Sequence, residues 1–145
     1  MNHFDTHTHV NFEAFKDDRE AAMQRAIDAG TWMINVGTQV DTSREAAELA
    51  LQYPHGVFAA IGLHPVHTYQ QMLDEEESHF HSRAEVFDAA EYEKLLNPKV
   101  VAVGEIGLDY FRLPEDAKST AIAGQKTEFI KQLQFAKQHN LPVII

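Results

Sequence analysis

Cysteine is absent from the 145 residues, which excludes disulfides and any thiolate metal or redox centre and fits a cytoplasmic enzyme. Any metal must therefore be held by histidine or carboxylate side chains. No run is long and apolar enough to read as a transmembrane span, so no membrane association is expected. Met1 to Phe4 lead straight into a strand pattern rather than a basic, apolar leader, and no signal peptide is expected. Cations are scarce: 12 Lys and Arg stand against 22 Asp and Glu, a formal charge of -10. That balance argues against a domain that grips nucleic acid through a general positive surface. A phosphate-bearing substrate is still compatible with it, because divalent ions in a cleft invert the local field.

A glycine-rich phosphate turn is also missing where a dinucleotide-binding fold would need one, after the first strand; His7 and His9 stand there instead. What is present is an alternation of short apolar runs with helical stripes. His3 to Asp5 opens a strand, and Phe15 to Ala29 carries Ala22, Met23, Ala26 and Ile27 at helical spacing up to Gly30. Thr31 to Val36 reads as a strand covered on both faces. Thr42 with Glu45 three residues on suggests an N-cap and capping box ahead of the stripe Ala46, Leu49, Ala50. Val57 to Ile61 is a third strand, closed by Gly62-Leu63-His64-Pro65, where the proline argues against a continuing central strand. Val66 to Asn97 reads as a loop insertion followed by a helix, with Asp74 to Glu77 a solvated acidic face. Val100 to Val103 makes a fourth strand, a long helix with Phe129, Ile130, Leu133 and Ala136 follows, and Leu141 to Ile145 opens a fifth strand.

Strands and helices alternating in this way imply parallel pairing with right-handed crossovers. The expected fold is a (β/α)8 TIM barrel, of which four βα units and the start of a fifth strand are supplied; a closed barrel needs roughly 250 residues. Residues 1–145 are thus expected to be the N-terminal portion of one barrel domain, cut at strand five.

In such a barrel every strand points the same way, and the residues just beyond the strand ends share one rim, where active sites are built. His7 and His9, two apart on an extended strand end, project to one side and can converge on an ion, with Asp5 placed to orient a ligand histidine, although an H-x-H pair also arises by chance in a chain with nine histidines. Glu105 follows the fourth strand directly, and a carboxylate there has a physical reason to bind a cation, although a loop or capping role is the plain alternative. His64 follows the third strand and can contact a phosphate, donate a proton or simply stabilise its loop. Tyr110 and Arg112 can reach an anionic group, or serve as a packed tyrosine and a surface arginine. His3, His55, His67, His79, His81 and His139 lack comparable placement.

Taken together, Phe4-Asp5-Thr6-His7-Thr8-His9, Gly62-Leu63-His64-Pro65 and Gly104-Glu105-Ile106-Gly107-Leu108-Asp109-Tyr110 resemble the TatD-type deoxyribonucleases of the amidohydrolase superfamily. Gln125, Phe129, Gln132 and Ala136, then Leu141 to Ile145, continue that family's order. The resemblance implies a DNA hydrolase in which His7 and His9 bind one divalent ion and Glu105 bridges it to a second, with His64 lining the substrate site. Two divalent ions, Mg, Mn or Zn, are expected; two histidines suit manganese or zinc at least as well as magnesium, which prefers oxygen ligands. No obligate protein partner is expected. The family's next ligand is a histidine directly after the run ending at Ile145, and the aspartate that handles the attacking water comes later still. No catalytic residue proper is therefore assigned, and the 145 residues alone are expected to be inactive. Val66 to Asn97 is longer than is usual for the family. Hydrolysis of a small amide, ester or lactone on the same scaffold, or an inactive fragment that binds a metal or partner, are the competing functions.

Overall fold

The computed structural model describes residues 1–69 and 84–145 throughout, together with the main chain of Met72–Glu75 and Ser78–His81. The polar run His3–Thr8 becomes strand β1, and three runs rich in β-branched and small apolar residues become β2 (Thr31–Val36), β3 (Val57–Ile61) and, after an intervening hairpin, β6 (Val100–Val103). They form one parallel sheet in the order β1-β2-β3-β6. Each strand lies beside its predecessor in that sheet, so right-handed crossovers place all the helices on one face. This is the winding of a barrel rather than of a doubly wound sheet, whose strand order reverses. Val143 forms a parallel bridge to Val103, and Ile144 N–H donates to the Val103 carbonyl at 2.9 Å, beginning the expected fifth strand.

The two-residue period of the strands sorts the apolar side chains into two cores. Met33, Val57, Ala59, Ile61 and Val103 face the helices, where they meet Met23 of α1 (Arg19–Asp28), Ala46, Ala47 and Ala50 of α2 (Val40–Leu51) and Phe135 of α4 (Lys118–Gln138). Ile34, Val36, Ala60 and Ala102 point the other way and pack with Phe58, Val101 and Ile144 in a smaller layer, as the inner face of a barrel does.

Several boundaries differ from the expectation, each for a local reason. The first helix does not begin at Phe15: a 3-10 turn (Glu13–Phe15) comes first and α1 starts at Arg19. Arg19 is spent on the preceding loop, its guanidinium donating to the carbonyls of Val10 at 2.8 Å and Asn11 at 2.7 Å. Helix α2 begins two residues before Thr42, which is its third helical residue rather than its N-cap. The Thr42 hydroxyl accepts from the N–H groups of Thr38 at 2.9 Å and Gln39 at 3.0 Å, and Glu45 lies exposed.

Over Val66–Asn97, where a loop insertion followed by a helix was expected, the helix is α3 (Ala89–Glu93); among the described residues before it are the end of a 3-10 turn (Pro65–Thr68) and the antiparallel strands β4 (Met72–Glu75) and β5 (Ser78–His81). The side chains of Asp74 to Glu77, His79 and His81 lie outside the described residues. In α4 the buried face is Ala121, Gln125, Glu128, Gln132, Phe135 and Ala136, while Ile130 and Leu133 of the expected stripe are exposed. Phe129 and Ala136 of that stripe do pack on the core, and buried Gln125, Glu128 and Gln132 add a polar edge to the same face.

Candidate metal centre and substrate cleft

The H-x-H segment is fixed from β2. Asn35 is fully buried, and its Oδ1 accepts both the Thr8 hydroxyl at 3.0 Å and the Val10 N–H at 3.1 Å; Thr8 also donates to the Ile34 carbonyl. His9 Nδ1 lies 3.0 Å from the Val36 carbonyl, a contact that places the proton on Nδ1 and leaves Nε2 as the ligand atom. Asp5 does not orient a histidine ring as expected. Its carboxylate bends back to accept the His7 main-chain N–H at 3.0 Å, and the orienting group for His9 is a backbone carbonyl.

Glu105 arrives from β6 through Gly104. The Gly104 N–H donates to Ile61 O and the Glu105 N–H to Gly37 O, both at 2.9 Å, so the main chain is tied to β3 and to the end of β2. A side chain at Gly104 would bring its Cβ to 2.7 Å from Ile144 Cβ, which is why this strand end needs glycine. The Glu105 carboxylate presents one oxygen 3.3 Å from His7 Nε2 and the other 3.6 Å from His64 Nε2. Ligand atoms of His7, His9 and Glu105 all lie within 4.8 Å of one another. Two metal–nitrogen bonds span about 4.2 Å, so small side-chain rotations gather the three around one ion. Two imidazoles and a carboxylate also match the chemistry of a first-row divalent metal.

His64 reaches the same rim with a defined tautomer. Val66 N–H donates to its Nδ1 at 3.2 Å, so the neutral ring carries its proton on Nε2, the atom facing Glu105. Its neighbour Leu63 is clamped by α4: Gln132 Oε1 accepts the Leu63 N–H at 2.7 Å and Gln132 Nε2 donates to the Leu63 carbonyl at 3.0 Å. The Tyr92 hydroxyl at 3.1 Å and the Ser43 hydroxyl at 3.2 Å both donate to the Gly62 carbonyl. Buried His67 packs near His64, and burial, helped by that neighbouring histidine, pushes its pKa down to about 4.

Beyond Glu105 the chain opens into a cavity of about 380 Å³ whose walls include His64, Tyr110, Phe111 and Arg112. The loop is anchored at Asp109, whose N–H and carbonyl pair with the Gln125 amide at 3.0 and 2.8 Å. The Asp109 carboxylate in turn accepts from the N–H groups of Phe111 and Arg112 and from the Arg112 guanidinium at 2.9 Å. Burial acts to raise the Asp109 pKa, but the hydrogen bonds from Arg112 and Phe111 together outweigh it and hold the carboxyl below the usual range. Arg112 is therefore paired with Asp109 while it lines the cleft, and Tyr110 is half exposed.

Sequence reasoning missed Asn35, Ser43, Tyr92 and the anchoring roles of Gln125 and Gln132. The available signal was the seven-residue spacing of Gln125 and Gln132, which puts both amides on one helix face.

The family model described as TatD related DNase matches residues 4–145. The chain belongs to the TatD-related DNase family. It is 36% identical over 142 residues to the uncharacterized metal-dependent hydrolase YjjV of Escherichia coli K12, covering 97% of this chain and 49% of that protein. It is 32% identical over 146 residues to the 3'-5' ssDNA/RNA exonuclease TatD of Shigella flexneri, covering 98% and 48%. The crystal structure of the TatD homolog YjjV from Escherichia coli superimposes with a TM-score of 0.69 at 34% identity, over 97% of this chain and 48% of that one. This TatD-family chain thus spans about half the length of the curated relatives it matches, and its sheet is the corresponding part of a TIM barrel. Among its described residues no helix is long and apolar enough to cross a membrane.

Proposed function

We propose that residues 1–145 are the N-terminal portion of a single barrel domain and supply the first half of a two-metal centre that hydrolyses phosphodiester bonds in DNA. The observation that carries this is the convergence of His7 and His9, after the first strand, with Glu105, after β6, so that their ligand atoms lie within 4.8 Å of one another at one rim. His7 and His9 would hold one divalent ion, and Glu105, whose oxygens face His7 and His64 respectively, would be available to that ion and to a second. The ion pair, when bound, polarises the phosphodiester and lowers the pKa of water. His64 points its Nε2–H into the rim as a donor to a phosphate oxygen. Tyr110 and Arg112 border the space where a nucleotide lies, Arg112 held in place by Asp109. With a net charge of -10, substrate attraction depends on the metal centre and this cleft rather than on a basic surface.

The test is hydrolysis by the full-length protein of oligonucleotides against a panel of small amides, esters and lactones. Oligonucleotide cleavage that is abolished by chelation, restored by manganese or magnesium, and reduced at least about a hundredfold in His7→Ala and Glu105→Ala is expected. Undiminished activity in either variant, or preference for a small lactone or amide, would overturn the assignment.

A further inference from the structure

The loop after β6 spends many interactions on holding still, yet it displays a bare aromatic ring. Phe111 is 92% exposed, the highest value among the large apolar side chains of the described residues. A single exposed phenylalanine is ordinary by itself; what sets Phe111 apart is a held main chain beside the cleft. Its N–H is held by Asp109 Oδ1 at 2.9 Å, and Asp109 is itself locked by Gln125. On the other side the Arg112 carbonyl accepts the Tyr69 hydroxyl at 2.5 Å. The ring is therefore presented from a braced turn, beside half-exposed Tyr110, on the wall of the cavity that also holds Glu105 and His64. At about 380 Å³ that cavity falls within the range of small-ligand sites.

We infer that Phe111 is a stacking platform for a nucleobase of single-stranded substrate, the one next to the phosphate that reaches Glu105 and His64. This rests on the nuclease assignment above and names the group that holds the base. Two observations favour a base over other occupants. The chain carries an acidic surplus, and the cavity's arginine is already paired with Asp109, so charge alone is poorly suited to hold a nucleotide here. Stacking on an aromatic face needs no charge, accepts any base, and requires an unpaired strand whose bases are free to turn outward.

The experiment compares full-length wild type with Phe111→Ala and Phe111→Trp on two single-stranded DNA oligonucleotides, one normal and one with abasic nucleotides at the cleaved end. Wild type should show a KM for the normal strand lower than for the abasic strand by roughly tenfold, within the span expected for one stacked base. Phe111→Ala should bring that ratio close to one, and Phe111→Trp should restore or increase it. A ratio that is unchanged in Phe111→Ala overturns the proposal. So does a drop in melting temperature with equal losses on both strands, which would mean that the ring is covered by the rest of the barrel. If wild type cleaves neither strand, the nuclease assignment itself fails and the stacking role falls with it. If wild type cleaves both with equal KM, only the stacking role fails.

Discussion

Replacing Gln132 by leucine should cost far more than its chemistry suggests. Gln132 is 1% exposed, and its amide satisfies both main-chain groups of Leu63, which is equally buried, at 2.7 and 3.0 Å. Leucine fills much of the same volume but leaves one N–H and one carbonyl buried without a partner. Each such group costs about 1–3 kcal/mol, and the added apolar contact returns part of that, so a net loss of about 2–4 kcal/mol is expected. Gln134 provides an internal control, since it lies on the same helix but is exposed; Gln134→Leu should stay within about 0.5 kcal/mol of wild type. Urea unfolding of the full-length variants, followed by circular dichroism, measures both. His64 follows Leu63 directly, so Gln132→Leu should also lower kcat more than it raises KM. If the two variants differ by less than about 1 kcal/mol, the clamp is not what holds this loop.

Two pH dependences follow from the same region. His67 has its pKa pushed down to about 4 in the folded chain, against about 6.5 when unfolded, so between these values only the unfolded chain takes up the proton. Its contribution is complete above pH 6.5 and is lost as pH falls toward 4, on the order of 3 kcal/mol in all; a His67→Gln variant should show a flatter stability profile across that window. Asp109 is held below the ordinary carboxylate pKa, so its contribution is present above about pH 4 and is lost as pH falls through its folded value. The urea midpoint of wild type should therefore exceed that of Asp109→Asn at pH 6, with the gap closing under acid; a constant gap from pH 6 to pH 2 would show that the carboxylate charge is not involved.

The strands and the rim were legible because each rests on a local signal. Thr31–Val36 and Val57–Ile61 are apolar runs bounded by glycine, and parallel winding then carries His7, His9, His64 and Glu105 to one edge whatever the details of the helices. Helix α4 was legible only in part. Of its expected stripe, Phe129 and Ala136 pack on the core while Ile130 and Leu133 are exposed, and Gln125, Glu128 and Gln132 are buried beside them because three loops have main-chain groups to satisfy: Asp109, Phe87 and Leu63. That demand comes from segments distant in sequence and leaves no mark on the helix's own apolar pattern. The same holds for Asp5, whose carboxylate found a nearer donor in the His7 N–H than any ring. The paired strands Met72–Glu75 and Ser78–His81 are only four residues each, too short for a two-residue apolar alternation to stand out in the sequence.

The most direct test of the metal centre is anomalous diffraction from crystals of the full-length protein soaked with manganese. A peak at about 2.0–2.3 Å from a nitrogen of His7, a nitrogen of His9 and an oxygen of Glu105 is predicted, with that peak lost in His9→Ala. Manganese bound at the rim without these three side chains, or a well-ordered centre in which Glu105 contacts only His7 and His64, would contradict the account.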